Sequence, residues 1–337
     1  MKIVQKFFAV AIFAMTFLSC NGKRQNEVVV YTYDSFAAEW GAGPALAAKF
    51  KAQTGQTVRF VDCGDALMAL SRAELEKGNP KADVILGIDS NSAKRAIDAQ
   101  ILSPYESKNK SKIAEELYES LESKENSLIT PFDFSHFAMI FDTDSTVPSP
   151  QSLQDLTNPV YEKKIILLDP RTSTPGLGFV AWTQSVFGEN ALDFWKKLKP
   201  NILTLSPSWT TGYGLFSNGE APLVISYTTS PAFHVEFDKT NRFRALLFEE
   251  GHPWSVEGAA ILKGAKNEDG AKQFIDFLTS VEGQSILPLT QWMYPANGAV
   301  ALPESYQKAA PIPAKTLFAD SEKVQILTDE IVKILSE

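Results

Sequence analysis

The run DPRTSTPGLG, Asp169 to Gly178, gathers the groups best suited to hold a small anion. It separates an apolar stretch, Ile165 to Leu168, that reads as a buried strand from a stretch beginning at Gly176 that reads as a helix. Ser173 or Thr174 can cap that helix, and Pro175 fits its first turn. Such a turn leaves backbone N–H groups unpaired at the positive end of a helix dipole, with hydroxyls beside them, a setting for a phosphate. Capping alone also accounts for Ser, Thr and Pro at a helix start, so both readings stand on this loop.

Aromatic side chains supply the second kind of chemistry. Tyr31, Tyr33, Phe36 and Trp40 follow the first strand-like run; Trp209 and Tyr213 lie in SPSWTTGYGLF; Tyr227 leads into TTSPAF; Trp292 and Tyr294 lie in QWMYPANG. Trp182 and Trp195 fall within helical patterns and are assigned to packing. Aromatics at element ends, next to Ser, Thr and Gly, make ligand walls, which assigns Tyr33, Trp209, Tyr227 and Trp292 to ligand contact. Stacked faces suit a flat heteroaromatic ring, and a cationic ring gains about 0.5–2 kcal/mol per well-placed face.

These residues are positioned by an alternation of strands and helices. Strand-like runs at Val28–Tyr31, Thr57–Val61 and Ala82–Ile88 are separated by helix-like runs at 44–53, 65–77 and 90–99. This pattern predicts an α/β fold of parallel strands with helices on both faces. The aromatic-rich strand Phe132 to Asp142 is where the chain crosses to a second α/β series, from Ile165 to about Phe248. A third stretch opens with the apolar strand Val256 to Leu262 and ends in an amphipathic helix bearing Val324, Leu327, Ile331 and Leu335. One lobe is therefore expected to be discontinuous, 27–134 with 255–337, and the other to comprise 135–254, with the ligand in the cleft between them.

The N-terminus reads as an address. Lys2 and Lys6 precede an apolar stretch, Phe7 to Leu18, too short to span a bilayer and shaped like a secretory signal over 1–19. It ends Phe17-Leu18-Ser19-Cys20, which resembles a lipobox with Cys20 as the lipidated first residue, and 20–26 forms a polar tether. With Cys20 so used, Cys63 has no partner in the chain and no disulfide is expected. The net charge of −8 gives no support to nucleic-acid binding. His136, His234 and His252 are scattered without metal-ligand spacing.

Taken in order, YTYDSFAAEWG, KADVILGID, DPRTSTPGLG, YGLF, SYTTSPA, EGH and WMYP resemble the bacterial periplasmic thiamine-binding proteins of ABC importers, over nearly all of the chain beyond the tether. The resemblance implies a type II periplasmic-binding-protein fold with no catalytic residues, cofactor or metal. The implied ligands are thiamine and its mono- and diphosphate, and the implied protein partners are the membrane permease and ATPase subunits. A monomer in the cell envelope is implied, held here to a membrane by Cys20. The chain itself carries no Walker loop. Carried over by motif, the ligand-binding positions are Tyr33, Asp65, Ala66, Ser173, Thr174, Trp209, Tyr227, Thr228, Thr229, Ser230 and Trp292. Ala66 stands where the family more often has Gly, and Phe233 where it can carry Tyr. For Asp65 two roles are open, counter-charge to a cationic ring or N-cap of the helix that follows. Two other classes remain as alternatives: a thiaminase I-like enzyme with Cys63 as nucleophile, and a metal-binding relative of the same fold. Cys63 lacks a nearby His, and Tyr227 is followed by Thr228 rather than by the second tyrosine that ferric-binding relatives use.

Overall fold

The computed structural model describes residues 26–336, so the expected signal over 1–19 and the expected lipid acceptor Cys20 lie outside the described residues. The chain runs through β1 (Glu27–Thr32), α1 (Asp34–Ala37), α2 (Ala42–Thr54), β2 (Thr57–Asp62), α3 (Ala66–Leu75), β3 (Val84–Asp89), α4 (Ala93–Asp98), β4 (Leu102–Ser103) and α5 (Glu115–Ser120) to a long strand, β5 (Thr130–Asp142). It continues through β6 (Ile165–Leu168), α6 (Thr174–Phe187), α7 (Ala191–Leu198), β7 (Ile202–Ser206), α8 (Trp209–Ser217), β8 (Leu223–Tyr227), α9 (Pro231–Phe233) and β9 (Phe243–Ala245) to a second long strand, β10 (His252–Leu262). The remainder is α10 (Glu268–Leu278), α11 (Val281–Gln284), β11 (Tyr294–Pro295), α12 (Glu304–Ala309), β12 (Thr316–Leu317) and α13 (Ser321–Ser336).

The principal strands lie in the order β2-β1-β3-β10-β5-β8-β6-β7. Along this order, parallel pairs form two groups, β2-β1-β3 in lobe 1 and β8-β6-β7 in lobe 2. Between them β5 and β10 run antiparallel to each other and to their outer neighbours. The parallel strands expected from the alternation are found within each lobe, and the two crossing strands add antiparallel pairs between them. Parallel neighbours need a helical crossover, whereas β5 and β10 carry the chain between lobes in opposite directions and so meet head to tail. Up to His136, β5 pairs with β10; from Phe137 it pairs with β8, so its two halves serve different lobes.

Each lobe buries its own core. In lobe 1, Phe36, Leu46, Phe50, Phe132 and Phe274 pack one face of the sheet, and Leu70, Ile85, Leu117 and Ala260 the other. In lobe 2, Phe137, Ile165, Phe179, Trp182 and Trp195 form the core, and both tryptophans are fully buried as assigned. Their indole N–H groups are satisfied, Trp182 by the Gly251 carbonyl at 2.8 Å and Trp195 by Thr183 Oγ1 at 2.9 Å.

The C-terminal helix departs from the expected division. Val324, Leu327 and Ile331 on α13 join the lobe 2 core, where α13 packs on α6 and α7, rather than lobe 1. Periodicity reveals an apolar stripe on a helix but not which lobe covers it. The connection back passes through β12, which pairs with β10 at His252 and Pro253. Among the described residues no helix is long and apolar enough to cross a membrane.

Candidate functional site

The strand ends of both lobes converge on one cleft. It is bounded by Tyr33, Asp65, Thr174, Trp209, Tyr227 and Trp292, with Ala66 and Ser230 between them, and encloses about 570 Å³ including its open mouth. Only about 50 Å³ of this can hold the centre of a water molecule, so the two walls stand nearly in contact. Past Trp209 and Trp292 the space continues into an apolar chamber walled by Trp40, Tyr213, Phe233 and Phe237.

From lobe 1, β1 delivers Tyr33 to the floor. Its ring lies against Gly87, where an added Cβ would come within 2.7 Å of it, and Gly87 itself has φ +106°. The Tyr33 hydroxyl donates to Glu257 Oε2 at 2.7 Å and accepts from the Gln291 amide. Burial and the neighbouring carboxyls of Glu257 and Asp133 push its pKa well up, so it stays a phenol and a donor. Trp292 enters from the same lobe with φ +59°, a left-handed backbone rarely adopted by a bulky residue and associated with ligand clamps. Its ring meets Phe233 and Phe237 of lobe 2 edge-on, at 5.4 and 5.6 Å between centroids, and stacks on Tyr306 at 6.4 Å.

Asp65 heads α3, and its carboxylate faces both lobes. Oδ1 accepts from the Ala66 N–H at 2.7 Å, and Oδ2 accepts from the Trp209 N–H at 3.0 Å, across the cleft. Asp34 makes a parallel reach, accepting from Thr210 Oγ1 at 2.8 Å. Two lobe 1 carboxylates thus meet the first turn of α8, where unpaired N–H groups favour negative charge. Burial raises the Asp65 pKa to about 6, against the opposing effect of the Ala66 and Trp209 N–H groups.

On the lobe 2 side, the Trp209 ring is held by a hydrogen bond and a stack. Its Nε1 donates to Ser226 Oγ at 2.8 Å, Ser226 meets Ser230 Oγ at 2.7 Å, and Tyr213 stacks beneath the indole at 4.9 Å. Tyr213 in turn bonds His234 Nε2 at 3.1 Å, and His234 Nδ1 meets Asp238 at 2.6 Å. Tyr227, the last residue of β8, stacks on Phe137 at 5.3 Å.

Ser173 stands at the N-cap of α6 in extended backbone, but its side chain makes no capping bond. The hydroxyls of Ser173 and Thr174 are buried and without a hydrogen-bond partner, although Ser173 lies near enough to Asp65 to favour its ionised form. Ser173 thus occupies the expected N-cap position, with Pro175 in the first turn, but without a side-chain capping bond. Thr174 lines the cleft and Ser173 lies behind it, outside the lining. Thr228 and Thr229 are fully buried and do not line the cleft; their hydroxyls reach Ser135 of β5 at 3.3 and 3.1 Å. They fix the Tyr227 turn against the crossing strand.

Trp40 of the first aromatic cluster stands at the mouth, and the cleft also holds residues that the sequence did not mark: Asp34, Ser35, Glu257, Gln291 and Met293. Glu257 had a signal, a lone carboxyl in the otherwise apolar run Val256 to Leu262. Cys63 is absent from the lining; its Sγ sits 3.8 Å from Arg72 Nη1, and burial raises its pKa. His136 and His252 are held neutral by burial, each with pKa lowered to about 4. No group of three or more His, Cys, Asp or Glu among the described residues is arranged to hold a metal ion.

Two α/β lobes, strands that cross between them and an aromatic cleft at their junction define a solute-binding protein. The profile of the bacterial extracellular solute-binding proteins matches residues 79–324. The chain is 38% identical over 309 residues to a thiamine-binding periplasmic protein of Brucella melitensis, covering 91% of this chain and 90% of that one. It is 39% identical over 290 residues to a thiamine-binding periplasmic protein of Salmonella typhimurium, covering 86% of each. A solved periplasmic thiamin binding protein superposes with a TM-score of 0.84 at 36% identity, over 92% of this chain and 96% of that chain. The chain belongs to the bacterial extracellular solute-binding proteins, in the group of the thiamine-binding periplasmic proteins.

Proposed function

We propose that this chain binds thiamine in the interlobe cleft and presents it to the permease and ATPase subunits of an ABC importer. The observation that carries the reading is the convergence of Tyr33, Trp209, Tyr227 and Trp292, from both lobes, over the carboxyls of Asp65 and Glu257. Thiamine is an aminopyrimidine joined to a cationic thiazolium, and it matches aromatic faces above acidic groups. The names of the related proteins support the same ligand. Thiamine mono- and diphosphate are proposed as further ligands, supported by the unpartnered hydroxyls of Ser173 and Thr174 at the head of α6.

No cofactor is assigned, and the ligand leaves chemically unchanged. The location proposed is the periplasmic side of the envelope, as a monomer tethered through Cys20; loss of fatty-acid labelling in Cys20→Ala checks the tether. Calorimetric titration of the ligand-free protein with thiamine and its two phosphate esters tests the central reading. One-to-one binding of thiamine at micromolar concentration or below, with quenching of Trp fluorescence, is expected. A folded protein that binds none of the three overturns it.

A further inference from the structure

Three carboxyls lie in a row under the cleft. Glu257 on β10 pairs with Asp89 on β3 to one side and with Asp133 on β5 to the other. Paired residues on adjacent strands project to the same face of a sheet. All three are buried, and β5 and β10 are the strands that join the lobes.

The three are not equally provided for. Asp89 accepts from Ser92 N–H at 3.0 Å, Ser92 Oγ at 2.6 Å and Asn91 Nδ2 at 3.1 Å. Asp133 has no hydrogen-bond partner on either oxygen. Glu257, which alone of the three lines the cleft, accepts from the Tyr33 hydroxyl. The titratable groups that bear on Glu257 come from every side: Tyr33 after β1, Asp65 before α3, Asp89 of β3, Asp133 of β5 and Tyr227 of β8. All are acids or phenols. Burial, with the Asp89 and Asp65 carboxyls, raises the Glu257 pKa to about 8 against the opposing hydrogen bonds of Tyr33 and Tyr227, and burial with Glu257 beside it raises that of Asp133 well above the usual range.

Two carboxyls on neighbouring strands in a water-poor site do not both ionise unless a cation joins them. Asp65 is poorly placed to receive that cation, since each of its oxygens already accepts a backbone N–H. Resting on the reading that the ligand is thiamine, we propose that Glu257, backed by Asp133, is the counter-ion that selects the cationic ring, and that ligand entry displaces a proton from this pair. The step balances: the carboxyl O–H of Glu257 ionises, its proton leaves to solvent, and the carboxylate pairs with the thiazolium charge. Affinity for the cation therefore rises with pH while the free pair still holds its proton, and levels off once the proton is gone.

The test is calorimetric titration at pH 7 in two buffers of different ionisation enthalpy. The probes are thiamine and a neutral isostere with thiophene in place of thiazolium. The wild-type protein is expected to release most of a proton on binding thiamine and none on binding the isostere. It is expected to prefer thiamine by about tenfold or more, the scale of a desolvated charge pair. In Glu257→Gln the proton release and the preference should both vanish, whereas Asp65→Asn, which removes a neighbouring charge but not the counter-ion, should retain part of both. If Glu257→Gln fails to fold by circular dichroism, infrared difference spectroscopy of the wild-type protein carries the test: thiamine should remove a protonated-carboxyl band and the isostere should leave it in place. Thiamine binding without proton release, or a folded Glu257→Gln that keeps its preference for the cation, overturns the counter-ion assignment alone. So does a protonated-carboxyl band that thiamine leaves unchanged. A wild-type protein that binds the isostere but not thiamine, or neither, overturns the ligand reading and this assignment together.

Discussion

The two sides of the cleft are built from opposite chemistry. Lobe 1 offers carboxyls, Asp34 and Asp65 at the rim and Glu257 on the floor, whereas lobe 2 offers the first turns of α6 and α8 with the hydroxyls of Thr174, Thr210 and Ser230. At the rim the two sets meet: Asp65 takes the Trp209 N–H and Asp34 takes the Thr210 hydroxyl. On the floor they do not meet, and Asp133 is left without a partner. The rim is complementary to itself and favours closure. The floor holds uncompensated acid and favours a cation. The difference teaches that closure and charge selection are carried by different carboxyls of the same lobe, a separation that substitutions can pull apart.

The largest effect is expected from breaking the rim. Asp34→Ala with Asp65→Ala removes two bonds to charged groups and leaves a helix N–H without its acceptor. Each such bond contributes about 1.5–3 kcal/mol, so thiamine affinity should fall by roughly two to four orders of magnitude. Small-angle scattering should then find the liganded variant as extended as the ligand-free one. Unchanged affinity would show that the lobes close without this contact.

The aromatic walls come next. Trp209→Ala on the lobe 2 side and Trp292→Ala on the lobe 1 side should each weaken thiamine by about 1–3 kcal/mol, the value of a buried aromatic face against a cationic ring. Because Trp292 is held in a left-handed backbone and meets Phe233 and Phe237 across the cleft, its loss should also speed ligand release, read by stopped-flow fluorescence. Equal dissociation rates in the two variants would mean that Trp292 is a wall and not also a clasp.

Much of this division was legible in the sequence. Aromatics at strand ends, flanked by Ser, Thr and Gly, marked the walls, and Tyr33, Trp209, Tyr227 and Trp292 all line the cleft. The floor was harder to read. Glu257 sits in a strand whose apolar neighbours drew attention to burial, and Asp133 comes beside it only through the β5–β10 register. Pairing of that kind depends on strand order, which local periodicity does not encode. The covering of α13 by lobe 2 was hidden for a like reason. Thr228 and Thr229 carry the same residue types as a ligand loop, yet their hydroxyls turn to Ser135, a contact 93 and 94 residues away in sequence.

A smaller effect, confined to phosphorylated ligands, is expected at the head of α6. Ser173→Ala with Thr174→Ala removes two buried hydroxyls that have no partner within the protein. Free thiamine should hardly notice, while its phosphate esters should lose about 1.5 kcal/mol, the low end for a neutral donor to a charged oxygen. Equal losses for free and phosphorylated vitamer would assign these hydroxyls to the ring or to packing, and the lobe 2 side would lose its role as the anion-reading wall.

The smallest effect should come from Cys63, and it bears on whether the cleft is a site of binding alone. A nucleophilic thiol needs a lowered pKa or an adjacent base. Burial outweighs the nearby Arg72 guanidinium and raises the Cys63 pKa, so the thiol is protonated at neutral pH. Its other near contact is the Val61 carbonyl at 3.5 Å, and it lies outside the residues that line the cleft. Cys63→Ser should therefore leave thiamine affinity and ligand integrity nearly unchanged. The decisive measurement is prolonged incubation of the wild-type protein with thiamine and a nucleophilic cosubstrate, followed by chromatography. Intact thiamine is expected. Release of free thiazole that disappears in Cys63→Ser would require the thiol to reach the cleft in an opened form, and would turn a protein whose lobes divide closure from charge selection into one that also breaks its ligand.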